Sequence, residues 1–176
     1  MGKVIGILGG MGPRSTAPFI EKILDECQMQ YGAKYDDEYP EMLIHSLPTP
    51  FYLDKSVDDE ALGLSIIEGA KKLSNTFIDF MVIPCNIAHL YFDEISQVSS
   101  VPVINMIEMT RKHLVAGKTT LFATEVTAKS GIYPYDILLE DWQFRISQLI
   151  ADIKNGKNER ALKGQWQSLL DEVKKE

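Results

Sequence analysis

The sequence predicts an α/β fold, a parallel sheet flanked by helices. Two observations carry this. Short apolar runs of strand type alternate with longer stretches whose apolar residues recur at helical spacing, the signature of βαβ units and a helix-covered sheet. The strand-like runs also end in Gly-rich or polar corners: Gly9–Pro13, His45–Pro48, Pro84–Asn86, Asn105–Met106 and Thr124–Thr127. The carboxyl ends of strands are where open α/β sheets keep their ligands.

Val4 to Leu8 reads as the first strand and Gly9-Gly10-Met11-Gly12-Pro13 as a turn. Ile20, Ile23, Leu24, Cys27 and Tyr31 then form a helical stripe. Met42 to Ile44 is the second strand, and a helix is expected from about Asp58 to Leu73 with Ser56 or Asp58 as its cap. The third strand is the apolar run Phe77 to Ile83, broken by Pro84 and followed by a helix carrying His89 and Phe92. Val101 to Ile104 reads as strand, Met106 to Val115 as helix, and Thr119 to Ala123 as strand again.

The tail differs in character. Ile146, Leu149, Ile150 and Ile153 make one helical stripe, Asn155-Gly156 ends it, and Leu162, Trp166, Leu169, Leu170 and Val173 make another. Nothing after them reads as a strand, so two apolar helix faces are left with no evident sheet to cover. A homodimer that buries those faces mutually is the assembly they suggest. The residue pattern shows no internal repeat and no low-complexity segment.

At 176 residues with 45% hydrophobic content the chain is long enough for a real core. Its formal net charge of −7 and lack of a basic stripe argue against nucleic acid as a partner. No apolar run approaches the ~18 residues that span a bilayer, and the strongest candidate carries Asp79 in its middle. Met1-Gly2-Lys3-Val4 runs straight into a strand, with no apolar leader of signal-peptide type. Two cysteines do not make a disulfide framework. A cytoplasmic protein with reduced thiols is expected.

Cys85 is the residue that points to chemistry. Pro84 ends a buried strand and sets the thiol at the sheet edge, where a helix beginning at once would turn its amides and positive dipole end toward the sulfur. That setting favours thiolate over thiol. Asn86 is placed either to cap the helix or to hold a ligand's carboxylate or amide. His89 lies one turn after Cys85 on a similar face, where a packing or support role, with the imidazole tuning the thiol, is expected ahead of a role as its general base. Cys27, on the stripe of the first helix, lies about 18 Å along it if that helix begins near Ser15, and reads as structural.

Other motifs are weaker. Gly10-Met11-Gly12-Pro13-Arg14-Ser15 keeps two of the three glycines of a dinucleotide loop. Pro13 removes an amide that a pyrophosphate would need, although the loop still offers others to a carboxylate. Gly117-Lys118-Thr119 mimics the end of a phosphate loop, but Lys112 stands where the pattern needs Gly, and a strand follows where one should precede. Arg14, just after the first rim loop, and Arg145 are the cations best placed to matter.

Three segments together resemble the aspartate/glutamate racemase superfamily, the cofactor-independent amino-acid racemases. They are Gly9-Gly10-Met11-Gly12-Pro13, Pro84-Cys85-Asn86-Ile87-Ala88-His89, and Ala123-Thr124-Glu125-Val126-Thr127-Ala128-Lys129-Ser130-Gly131-Ile132-Tyr133. The resemblance spans about residues 3 to 155. It implies a flavodoxin-like first lobe carrying Cys85, residues 1–115, with an incomplete second lobe, residues 116–176, ending in two amphipathic helices, and a small amino-acid or carboxylate substrate, with neither metal nor cofactor. It implies Cys85 as catalytic acid/base, with Met11, Gly12, Ser46, Asn86, Ile87, Thr124, Thr127 and Arg145 as substrate contacts. Arg145 stands where the family has a Lys.

This sequence also departs from the pattern. Ile87 replaces the usual Thr after Cys-Asn. Pro48 to Tyr52 lacks the Arg of aspartate racemases, and the stretch from Tyr133 to Trp142 is short for the family's helix and strand. The second-lobe Gly-Cys-Thr motif does not occur, so the second catalytic cysteine is missing. The expected function is cofactor-independent proton abstraction at the α-carbon of an aspartate- or glutamate-like substrate. The alternative is a degenerate homologue that binds a small carboxylate or a protein partner without turnover.

Overall fold

The computed structural model describes residues 2–52, 55–114, 119–134, 136–137 and 140–174. The chain forms two compact units, Met1–His113 and Leu114–Glu176. The Gly117-Lys118 pair, Val115 and the expected lobe boundary lie outside the described residues.

The first unit is built on a parallel sheet of β1 (Ile5–Gly9), β2 (Met42–Ser46) and β3 (Phe80–Val82), in the order β2-β1-β3. Helices α1 (Pro13–Tyr31) and α2 (Asp59–Ser74) connect the strands, followed by α3 (Phe92–Val98) and α4 (Met106–His113). Register pairs Gly9 with Ser46 and Ile7 with Val82, so all three strands deliver their carboxyl ends to one edge. The fold is mixed α/β with helices flanking a parallel sheet, as the alternation of apolar runs predicts.

Local chemistry sets the helix ends. Pro13 opens α1 at a position where its missing N–H costs nothing. Gly32 closes it at φ 74°, its N–H donating to the Gln28 carbonyl while the Ala33 N–H donates to that of Cys27. Asp58 caps α2, accepting from the Ala61 amide at 3.0 Å. The core beneath the sheet gathers Leu8, Ile66, Met81, Ile83, Ala88 and Ile95, and Met11, Cys85 and Ile87 pack against it from the rim. Ile66 is 1% exposed. Ile66→Ala is expected to cost about 2–5 kcal/mol, seen as a lowered urea midpoint.

Three expectations are corrected in this unit. The third strand is shorter than its apolar run: Phe77 is 96% exposed. Residues 75–78 are spent ending α2, with the Thr76 hydroxyl and amide both donating to the Leu73 carbonyl. The Val101–Ile104 segment pairs only through a single parallel bridge between Val103 and Met81. Pro102 within it has no N–H to extend a ladder. Lastly, Cys85 is not followed at once by an α-helix; a 3₁₀ turn, Ile87–Tyr91, comes first.

The second unit pairs β4 (Thr120–Leu121) in parallel with β5 (Asp136–Ile137), around the short helix α5 (Glu125–Lys129). A strand thus fits into the stretch that looked too short. Helices α6 (Glu140–Lys154) and α7 (Glu159–Val173) follow. Ile146 and Leu169 form the centre of a cluster with Phe122, Trp142, Ile150, Trp166 and Val173. The Phe122 and Trp166 rings meet edge to face at 5.2 Å. The two helical stripes pack on each other and on Phe122, while Ile153 of the first stripe stays 44% exposed.

Candidate active site

In the first unit the carboxyl edge of the sheet carries the Gly10–Gly12 loop, Ser46, Cys85 and the start of α4. The loop turns on Gly10, whose φ of +87° is left-handed and whose Cα faces the Leu47 backbone. The Gly10 amide donates to the buried Thr16 hydroxyl at 2.8 Å. The Leu47 amide donates to the Gly9 carbonyl at 2.9 Å, closing the β2 corner onto the loop. Gly12 precedes α1, whose first turn carries no acidic residue. This leaves the amino end of that helix electrostatically open to a carboxylate. Thr16 was not singled out in the sequence; a threonine just inside a helix after a Gly-rich turn is the signal that could have found it.

Cys85 is partly exposed, and neither it nor Cys27 forms a disulfide. Its amide donates to the Ile83 carbonyl at 2.8 Å, the i to i+2 bond of a γ-turn centred on Pro84. Its carbonyl accepts from His89 Nδ1 at 2.8 Å. Both backbone polar groups of Cys85 are thus engaged. Asn86 stands before the 3₁₀ turn, and its side chain does not cap it. The capping role left open for Asn86 is therefore not taken. The helical dipole expected to face the sulfur is reduced to a short 3₁₀ turn leading into α3, because the chain first tightens around the His89–Cys85 bond.

His89 is buried and stacks on Phe92, with ring centroids 5.8 Å apart. Its Nε2 accepts the Met106 amide at 3.1 Å. The proton must then sit on Nδ1, and the ring is neutral. Both ring nitrogens hold backbone, which makes the support role the one the geometry fits. Burial lowers the His89 pKa from its usual 6.5, opposed by backbone contacts with Cys85 and Ile104. The unfolded chain therefore binds this proton more readily than the folded one. The contribution of His89 to stability is present above about pH 6.5 and is lost as pH falls through the lowered folded value. Urea unfolding at pH 7.5 and 5.5 is expected to show a steeper loss of stability in the wild type than in His89→Asn.

In the second unit Thr124 caps α5, and its hydroxyl lies 3.0 Å from that of Thr127, which is buried. The Gln143 amide group of α6 donates to the Ala123 carbonyl at 3.0 Å, beside this cap. Arg145 makes a two-pronged ion pair with Glu172 of α7. It also lines an open groove of about 360 Å³ between those helices, with Gln148, Asp152, Gln165 and Ser168. Cys27 is buried in α1, fourteen residues past Pro13, about 21 Å along the helix axis. Among the described residues no group of three or more His, Cys, Asp or Glu side chains is arranged to hold a metal. Nor is any helix long and apolar enough to cross a membrane.

The model of the Asp/Glu/hydantoin racemase family matches residues 8–135. The chain belongs to this family. It is 43% identical over 180 aligned positions to the broad specificity amino-acid racemase RacX of Bacillus subtilis, spanning 97% of this chain and 79% of the relative. Among solved structures it resembles the aspartate racemase of Picrophilus torridus, with a TM-score of 0.78 at 24% identity, covering 99% of this chain and 78% of that one. An aspartate racemase homologue from Pyrococcus horikoshii is similar with a TM-score of 0.67 at 22% identity, covering 86% and 71%. These two likenesses speak for the fold. The family and the curated relative make the chain an isomerase of racemase type.

Proposed function

We propose that this chain moves the α-proton of an aspartate- or glutamate-like amino acid without a cofactor, and that the Cys85 thiolate takes that proton. The observation that carries the reading is the placement of Cys85, partly exposed at the carboxyl edge of the sheet with its backbone held at both N–H and C=O. The Gly10–Gly12 loop and the amino end of α1 lie at the same edge and suit the substrate carboxylate, beside Met11, Ser46, Asn86 and Ile87. Thr124, Thr127 and Arg145, the further contacts that the resemblance implies, belong to the second unit, where Arg145 is paired with Glu172. Thiols outside any disulfide suit a reducing, cytoplasmic setting.

A thiolate that abstracts a proton and returns solvent deuterium labels the α-carbon even when only one face is served. Inversion needs a donor on the other face. Within residues 1–176 the only other cysteine is Cys27, buried far along α1. That observation favours a second reading, in which the chain binds a small carboxylate or a protein partner without turnover.

Incubation of L- and D-amino acids in D₂O, headed by aspartate and glutamate, separates the two readings by NMR. Loss of the α-proton signal above the Cys85→Ala background is the expected result. Thermal stabilisation by these amino acids with no exchange supports the binding reading.

A further inference from the structure

We propose that His89 is a positioning residue for the Cys85 thiol, one neutral imidazole tying the Cys85 carbonyl to the first amide of α4. The inference rests on the reading of Cys85 as the proton-transferring group and names what holds that group in place.

The Cys85 backbone is pinned from two sides. The γ-turn at Pro84 fixes its amide on Ile83, and His89 Nδ1 fixes its carbonyl at 2.8 Å. With both peptide groups held, the direction in which the sulfur leaves the backbone is set to within one side-chain rotation. His89 is itself immobilised, 6% exposed and stacked on Phe92 at an interplanar angle of 8°.

The far nitrogen does the second half of the work. The Met106 amide is one of the unpaired donors at the amino end of α4. It donates to His89 Nε2 at 3.1 Å, while Asn105 Oδ1 takes the Glu108 amide at 3.0 Å. One ring therefore joins two rim corners, Cys85-Asn86 and Asn105-Met106. The pairing demands the Nδ1–H tautomer, because a proton on Nε2 would face the Met106 N–H. It also leaves no ring nitrogen for the thiol, so His89 acts on Cys85 through the backbone. Misplacing a reacting group by about 1 Å can cost ~10²-fold in rate, which is the scale of advantage such a clamp protects.

The two bonds separate by substitution. Asn can present its amide near the Nδ1 position, whereas Gln reaches the Nε2 position. Exchange kinetics in D₂O are measured on the amino acid that the wild type labels fastest. Wild type is compared with His89→Asn, His89→Gln and His89→Ala, with Cys85→Ala as background, and ¹⁵N NMR of the imidazoles runs alongside. His89→Gln and His89→Ala are expected to lose roughly tenfold or more in kcat with KM within about twofold, and His89→Asn to stay within about threefold of wild type.

The wild-type imidazole is expected as the neutral Nδ1–H form at pH 7. A folded His89→Asn that falls as far as His89→Ala overturns the proposal. So does a loss carried by KM, or a wild-type ring protonated on Nε2. If the wild type itself does not exceed the Cys85→Ala background, the proposed reaction has failed, and the tautomer alone decides whether the clamp exists.

Discussion

Replacing Cys85 by serine is expected to lower α-proton exchange by about 10²–10⁴-fold, the usual share of a positioned acid/base. The substitution is nearly isosteric, and the backbone bonds of this residue are kept: amide to Ile83 and carbonyl from His89. The fold should therefore persist, with unfolding free energy within about 1 kcal/mol of the wild type. What changes is the acid. A serine hydroxyl does not ionise at neutral pH, so it has no anion with which to take the α-proton. The check is the decay of the α-proton NMR signal in D₂O beside urea unfolding of the same sample. Exchange within about threefold of wild type would remove the thiol from the mechanism.

Gly10→Ala is expected to be strongly destabilising, with a loss of at least about 3 kcal/mol from strain and overpacking together. A side chain is disfavoured at φ +87°, and a Cβ there would lie 2.6 Å from the Leu47 nitrogen and 2.7 Å from its oxygen. Those are backbone atoms, and the Leu47 amide is already bonded to the Gly9 carbonyl at 2.9 Å. Neither can retreat without opening the β1–β2 corner at the rim. Gly2→Ala is the matched control, since nothing lies within 4 Å of its added Cβ. Urea unfolding should show an unchanged midpoint for Gly2→Ala and a much lower one for Gly10→Ala. Surviving Gly10→Ala protein should also lose exchange activity, because the amides of the Gly10–Gly12 loop would be displaced.

The order of elements was legible because apolar runs and helical stripes are local patterns. Asp58 was readable as a cap for the same reason: capping is decided within three residues. What escaped was set by partners distant in sequence or by backbone competition. Phe77 continues an apolar run in the sequence, yet the end of α2 claims its neighbourhood. Val101–Ile104 looks like a strand, yet Pro102 allows only a bridge to Met81. The stripes of α6 and α7 looked uncovered because Phe122, which packs against their cluster, follows β4 and lies far back in the chain. At the site, Cys85 stood out through Pro84 and its place at a strand end. The clamp did not, because half of it is the Met106 amide, which no side-chain motif announces.

The central claim is that the sulfur of Cys85 carries the proton. Stepwise alkylation with iodoacetamide tests it most directly, with mass spectrometry locating each modified cysteine and NMR following residual exchange. Exchange activity is predicted to fall in proportion to the fraction of Cys85 modified, to reach the Cys85→Ala background at full modification, and to be protected by substrate. Full alkylation of Cys85 with exchange undiminished would contradict the account.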